Sequence, residues 1–262
     1  MIAPVDDAAV TPSASDSDAW RRVLIDGHRP LRIAHKVFRH LPSAPRCKVC
    51  HNPFGGVGGA VVGWFGFKPS RKNPNLCRAC CDSLPEGGAT VDIAILFADV
   101  RGSTSLGERT DVREYAALLN RFYKVATNLL VRHDAIIDKL IGDEVMALFV
   151  QGVAGPDYRK KSVAAAIDLV HAVHRDVLPI GAAVHAGPAF VGNVGTSGVV
   201  DFTALGDPVN VTARLQGLAE DGEVLVTDEL YRSIRPDGDS VEPRVLELRG
   251  RTEPVRAFAL RA

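Results

Sequence analysis

Two carboxylates in this chain each follow an apolar run, and an Asn and an Arg lie downstream of them. Asp99 stands in Ile93-Ala-Ile-Leu-Phe-Ala-Asp-Val-Arg-Gly-Ser-Thr104, and Asp143 in Asp138-Lys-Leu-Ile-Gly-Asp-Glu-Val-Met146. Phe202-Thr-Ala-Leu-Gly-Asp-Pro-Val-Asn-Val-Thr-Ala-Arg214 then supplies Asn210 and Arg214. Mg²⁺ is commonly held by one or two carboxylates plus substrate phosphates, so the set points to metal-assisted chemistry on a polyphosphate. After Asp99, the turn Gly102-Ser103-Thr104 precedes a helical pattern, and its backbone N–H groups can meet phosphate oxygens while Asp99 holds a bridging ion. Each signal is weak alone. A strand-end Asp can merely cap a helix, and a hairpin tip favours Asp for its own turn.

The elements that must carry these groups are readable. The run ending at Asp99 has the length of a buried strand. Tyr115, Leu118, Leu119, Phe122, Ala126, Leu129 and Leu130 recur at spacings of three and four, which predicts a helix within 105–132. Ala135–Ile141 and Val145–Val150 flank Gly142-Asp143 as a hairpin with Asp143 at its tip. Strands are expected near 91–98, 135–141, 144–150, 180–186, 189–195, 199–204, 223–226, 243–248 and 256–260, with further helices near 157–176, 207–219 and 227–233.

The ordered motifs Phe97-x-Asp99, Lys139-x-x-Gly142-Asp143 and Gly206-Asp-Pro-Val-Asn210-Val-x-x-Arg214 resemble the catalytic domain of the class III nucleotidyl cyclases, from about Val91 to the C-terminus. The resemblance implies an α/β, ferredoxin-like core working as a head-to-tail homodimer with sites shared between protomers. Asp99 and Asp143 then correspond to the carboxylates for two Mg²⁺ or Mn²⁺ ions, with the Val100 carbonyl nearby. Lys139 falls at the adenine-reading lysine, and Thr203 at a partner position that is Asp in many adenylyl cyclases and Thr in a distinct subgroup. Asn210 and Arg214 correspond to the residues that orient the ribose and stabilise charge at the reacting phosphate. Arg249 or Arg251 can take the place of a family lysine at the β- and γ-phosphates. The implied activity is adenylate cyclase, with ATP as substrate. Thr203 also brings two readings, since its subgroup is associated with responsiveness to inorganic carbon, or the hydroxyl simply accepts the adenine amine. The competing function is a non-catalytic nucleotide- or protein-binding scaffold, which is expected to have lost one of the carboxylates or the Asn/Arg pair. No Ser/His/Asp or Cys/His order argues for covalent catalysis, and His133, His171, His174 and His185 read as ordinary core or surface residues.

At 262 residues, 46% hydrophobic and 24% charged, the chain has room for one catalytic domain and a small module. The longest apolar stretch, Gly59–Phe67, is far too short to span a bilayer, and no positively charged export leader is present, so the expected compartment is the cytosol. Residues 1–90 carry 12 Lys and Arg against 7 Asp and Glu, while residues 91–262 carry 19 against 24, so a basic leader meets an acidic catalytic part.

All five cysteines precede residue 82. Cys47-Lys-Val-Cys50 and Cys77-Arg-Ala-Cys80 form two C-x-x-C knuckles, and each spacer lets one tight turn present two sulfurs to a tetrahedral ion. One structural zinc per chain is the favoured reading. An iron–sulfur cluster, thiol redox pairs and merely buried cysteines stay open, as do His51 and Cys81 as alternative ligands. The segment between the knuckles reads as too polar and glycine-rich to build a core without metal. Nucleic-acid binding by the knuckle is disfavoured, because few aromatics interleave with Lys68, Arg71 and Lys72. The expected organisation is a disordered leader 1–17, a short amphipathic helical segment 18–45 broken near Gly27, a Cys₄ module 46–84, a linker 85–90 and a catalytic domain 91–262. For residues 18–41, packing on a partner or on the knuckle is favoured over membrane contact.

Overall fold

Asp99, Asp143, Lys139 and Thr203 all hang from one sheet. The structure, a computed structural model, describes residues 14–27, 46–47, 50–65, 67–69, 77–78, 80, 87–176, 178–196, 199–234 and 242–261. The central strand β1 (Gly88–Val100) lies between β3 (Glu144–Val150) and β4 (Ile180–Thr196), antiparallel to both. β2 (Ile136–Ile141) extends the sheet beyond β3, and β6 (Glu223–Thr227), β8 (Val255–Arg261) and β7 (Glu242–Leu246) extend it beyond β4. β5 (Val199–Leu205) pairs with the far end of β4, opposite residues 190–196.

β1 is apolar on both faces because both are covered, which removes the alternation of a half-exposed strand. Ala94, Leu96, Ala98 and Val100 face one core with helices α4 (Val112–Arg132) and α6 (Tyr158–Asp176), whose Phe122, Leu130, Leu169 and Val173 are fully buried. Ile93, Ile95 and Phe97 face a second core shared with Trp20, Leu24 and all four described cysteines. The N-terminal module thus packs directly on the catalytic sheet. Its parts are helix α1 (Ala14–Arg21), a wide turn over Arg22–Asp26 ending at Gly27, and helix α2 (Gly56–Trp64) between the knuckles. No helix among the described residues is long and apolar enough to cross a membrane.

Several expected boundaries move. The leader stops short of residue 17, since α1 starts at Ala14, and the remainder of that leader lies outside the described residues, as does most of 28–45. β1 begins at Gly88, inside the expected linker. Gly88 runs so close to β4 that a Cβ there would sit 2.5 Å from the Val191 carbonyl oxygen, so the glycine that reads as a linker is a strand contact. The helix expected over 105–132 is two helices, α3 (Ser103–Arg109) and α4, because Asp111 accepts the Arg113 N–H at 2.9 Å and starts a new one. The two strands expected at 180–186 and 189–195 are the single strand β4 despite Pro188. β6 pairs only with residues 182–184 and β5 only with 190–196, so the edge at Pro188 needs no N–H donor. The glycine-rich stretch expected as loop forms α2, with Gly59 so close to Phe54 that a Cβ would lie 2.6 Å from its carbonyl carbon.

Candidate active site

The sheet register places the carboxylates. Asp99 pairs with Glu144 across β1 and β3, and Asp143 occupies the two-residue turn between β2 and β3. Gly142 opens that turn at φ 60°, a conformation that favours glycine, and Tyr123 on α4 donates its hydroxyl to the Gly142 carbonyl. The Val100 N–H donates to the Asp143 carbonyl at 3.3 Å, tying the hairpin tip to the end of β1. Gly102, Ser103 and Thr104 follow as the cap and first residues of α3.

This end of the site is over-supplied with negative charge. Burial, and then the adjacent Asp143 carboxylate, push the Asp99 carboxyl up to about 6. Burial, and then the charges of Asp99 and Asp143, push Glu144 up to about 7. Arg101 offsets part of this by donating to Asp99 Oδ2 at 2.8 Å while its other amino group reaches the Gln216 and Ala219 carbonyls. Asp99 Oδ1 stays buried with no hydrogen-bond partner among the described residues. An orphaned carboxylate oxygen beside a second carboxylate is a donor set that fits a hard divalent cation.

A second cluster lies farther along the same hairpin. Lys139 Nζ donates to Thr203 Oγ1 at 2.8 Å and to Asp201 at 3.0 Å, with Asp138 Oδ1 at 3.5 Å. The Thr203 hydroxyl donates in turn to Asp138 Oδ2 at 2.6 Å. Thr203 faces β2 because β5 folds back along β4, with Gly192 opposite Thr203.

Asn210 and Arg214 lie one turn apart on α7 (Asp207–Gln216), both exposed, while Val211, Thr212 and Leu215 bury the opposite face. Gly250 brings the loop before β8 against the Arg214 guanidinium. Arg251 donates to both oxygens of Asp207 at 2.7 Å, whereas Arg249 is exposed and in no ion pair among the described residues.

The family model "Adenylate and Guanylate cyclase catalytic domain" matches residues 88–261, about two thirds of the chain. The chain belongs to that family. An adenylate cyclase of Anabaena cylindrica is 27% identical over 216 residues, covering 75% of this chain and 42% of its own length. Rv1318c of Mycobacterium tuberculosis is 30% identical over 181 residues, covering 65% of this chain and 32% of its own. The chain thus spans about a third of such a relative. Among solved structures, the guanylyl cyclase Cya2 superposes with a TM-score of 0.60 at 24% identity, covering 66% of this chain and 93% of its own. The adenylyl cyclase CyaB from P. aeruginosa gives 0.59 at 24% identity, covering 67% and 96%. At that identity the structures establish the cyclase fold, in agreement with the α/β core expected from the motifs.

The Cys₄ cluster lies outside the stretch that the cyclase family model covers. Cys47, Cys50, Cys77 and Cys80 are buried, unbridged, and bring their sulfurs within 4.8 Å of one another. Cys50 and Cys77 Sγ are 3.6 Å apart, close to the edge of about 3.8 Å that a tetrahedron of sulfurs around zinc requires. Burial opposes ionisation of Cys47, but hydrogen bonds from Cys50, Cys77 and Cys80 outweigh it and lower its pKa, whereas bonds to Cys47, Cys50 and Cys77 drive Cys80 up. Four thiolates cannot share this space without a cation. His51 is not part of the cluster, because its Nε2 is 2.9 Å from the Ala135 carbonyl oxygen at the start of β2. Cys81 lies outside the described residues.

Arg101, Glu144, Asp138 and Asp201 had no role in the sequence reading. Arg101 and Glu144 adjoin the quoted motifs and are found by asking what neutralises or crowds Asp99. Asp138 and Asp201 show nothing by spacing, because only the fold of β5 onto the hairpin brings them to Lys139.

Proposed function

We propose that the chain is an adenylate cyclase, converting ATP to 3′,5′-cyclic AMP and pyrophosphate at sites shared between two protomers of a homodimer. The observation that carries the adenine reading is the pairing of a lysine donor with a hydroxyl acceptor at Lys139 and Thr203. Adenine presents a ring acceptor beside an exocyclic amine, and this pair complements both. Asp99 and Asp143, with the Val100 carbonyl, are the residues that would hold two Mg²⁺ or Mn²⁺ ions. Such ions, when bound, make the ribose hydroxyl easier to deprotonate and stabilise the attacking and leaving oxygens. Asn210 fixes the ribose so that its 3′-oxygen lies in line with the α-phosphorus. Arg214 meets the charge that builds there as the bond to pyrophosphate breaks. Backbone N–H groups at Gly102, Ser103 and Thr104 bind phosphate oxygens. Arg249 is better placed than Arg251 for the distal phosphates, because Arg251 is committed to Asp207.

One structural zinc at Cys47, Cys50, Cys77 and Cys80 completes the proposal. The module it holds bears on the purine end through two contacts. Trp20 stacks on Phe202, the neighbour of Thr203, at 5.9 Å, and His51 meets the Ala135 carbonyl that leads into the Lys139 strand. The module would thereby regulate the base site, and four buried cysteines without a disulfide suit a reducing cytosol.

The direct test is incubation of the purified protein with ATP or GTP and each metal, followed by identification of the product. Cyclic AMP as the main product supports the reading, whereas cyclic GMP alone, or no cyclic product with any metal, overturns it. Sharing of sites is tested by mixing Asp99→Ala with Arg214→Ala. A heterodimer has one doubly damaged and one intact interface, so up to about half the native rate per dimer returns. No rescue despite subunit exchange would mean that each protomer builds its own site.

A further inference from the structure

We infer that Asp138 is a positioning residue for purine choice: it fixes the Thr203 hydroxyl as an acceptor, and so sets the site to an exocyclic amine rather than a carbonyl. The inference rests on the proposal that Lys139 and Thr203 read the base, and adds the group that makes that reading one-directional.

The Asp138 side chain is fully buried. Its carboxylate can only accept, and it takes the Thr203 hydroxyl proton at 2.6 Å. Thr203 Oγ1 also receives a proton from Lys139 Nζ at 2.8 Å, which uses one of its two lone pairs. What the hydroxyl has left to offer a ligand is a lone pair. A hydroxyl free to rotate would donate to a guanine carbonyl as readily as it accepts from an adenine amine, and would discriminate little. Held by Asp138, it accepts from the adenine amine while Lys139 donates to the adjacent ring nitrogen. In the same pose guanine sets its carbonyl against the Thr203 lone pair and its ring N–H against the lysine, so both contacts are mismatched. A buried polar group left unpaired in this way is what makes hydrogen-bonded sites selective.

The lysine is held in the same manner. Its three protons have three oxygens in reach, on Thr203, Asp201 and Asp138. Asp201 lies two residues before Thr203 on β5 and so on the same face. Its side chain is 36% exposed and that of Lys139 34%, whereas Thr203 is 6% exposed. A purine meets Lys139 and Asp201 first, and its ring nitrogen displaces the exposed Asp201 carboxylate from the lysine, leaving the buried Asp138–Thr203 bond intact.

The test is Asp138→Asn, which keeps the shape but lets an amide donate to Thr203 and release the hydroxyl proton. Competition of ATP and GTP against a fluorescent purine nucleotide is measured beside turnover, with thermal melting as the check on folding. The ATP-to-GTP ratio is expected to fall about tenfold, through weaker ATP binding and tighter GTP binding, since the released hydroxyl proton can meet the guanine carbonyl. A merely structural role would weaken both nucleotides together. With Thr203→Val as background, Asp138→Asn should shift the ratio no further. An unchanged ratio in the single variant, or an undiminished shift on the Val background, overturns the inference. If Asp138→Asn does not fold, Thr203→Ser must keep the preference and Thr203→Val must lose it, and any other pattern sinks the idea. A native protein that prefers GTP in the binding assay would instead defeat the adenine reading itself, so the two failures are distinguishable.

Discussion

The two ends of the β2–β3 hairpin handle negative charge in opposite ways. At the tip, Asp99, Asp143 and Glu144 crowd together with one arginine between them, two of the three carboxyls are held well above their ordinary range, and one buried oxygen has no partner. Along the strand, Asp138 and Asp201 share Lys139 and Thr203, and hydrogen bonds join all four. Under the proposed function, the tip is left unbalanced until a cation arrives. A site that must read a neutral base is balanced beforehand, so that only geometry and donor–acceptor order are at stake.

The largest effect expected from breaking this contrast is at the tip. Asp99→Ala or Asp143→Ala should lower kcat on the order of 100-fold or more, since each removes a cation ligand whose charge stabilisation is several kcal/mol. Both should fold, because they relieve crowding rather than delete core. Lys139→Ala should instead raise KM for ATP more than it lowers kcat. Circular dichroism and steady-state rates with Mg²⁺ and Mn²⁺ check this, and activity within a few-fold of native in both Asp variants would end the cation assignment.

Removing the metal from the Cys₄ cluster should act on stability first and on the purine end second. The four cysteines share a core with Ile95, Phe97, Met146 and Phe202, so losing the ion loosens one whole face of the sheet. Chelation or Cys77→Ser is expected to lower Tm by roughly 10 °C, the shift that a loss of about 3–5 kcal/mol gives in a chain of this size. KM for ATP should rise alongside, because Phe202 and β2 carry the contacts to the module. Metal analysis should find one zinc per chain. Iron with a visible charge-transfer band, or a chelated protein with unaltered Tm, would overturn the assignment.

The pH dependence of stability sharpens the contrast further. Asp99 and Glu144 have folded-state pKa values raised to about 6 and about 7, so without divalent metal the folded state binds more protons than the unfolded one between the ordinary carboxylate range and neutrality. Their contribution is therefore fully present below that range and is lost as pH rises through 6 and 7. Mg²⁺ should reverse this, raising Tm more at about pH 7.5 than at about pH 5, where protons compete for the same oxygens. Asp99→Asn should flatten the metal-free profile. A native Mg²⁺ effect that is equal at both pH values would show that the cation binds elsewhere.

What the sequence made legible follows from where each element gets its stability. The β2–β3 hairpin and the run to Asp99 are readable because apolar runs of strand length and the Gly142-Asp143 turn are local signals. β4 reads as two strands in the sequence because tolerance of Pro188 depends on which neighbours pair beside it. α2 is hidden in the sequence because its glycines carry poor helix propensity, about 1 kcal/mol each against Ala, and one of them, Gly59, packs closely on Phe54. At the site, Asp99, Asp143, Lys139, Thr203, Asn210 and Arg214 stand in ordered motifs. Asp138 reads as one more polar strand position, and only β5 crossing over the hairpin reveals it as a buried partner of Thr203.

The smallest effect concerns inorganic carbon. Of the two readings of Thr203, the one in which bicarbonate raises turnover rests on the threonine leaving the site one negative charge poorer than an Asp would. The geometry removes much of that reason, since Asp138 and Asp201 lie 3.5 and 3.0 Å from the same lysine and bring two carboxylates to the cluster. A small anion approaching Lys139 meets both of them, and a lysine whose protons already have oxygen partners. We therefore expect an unchanged rate when bicarbonate replaces chloride in an ATP titration at fixed pH and ionic strength. Asp201→Asn, which removes the more exposed charge, is the variant in which a response would first emerge. Activation already present in the native chain and unaltered in Asp201→Asn would mean that the anion acts away from the Lys139 cluster, and that charge balance at the purine end does not govern it.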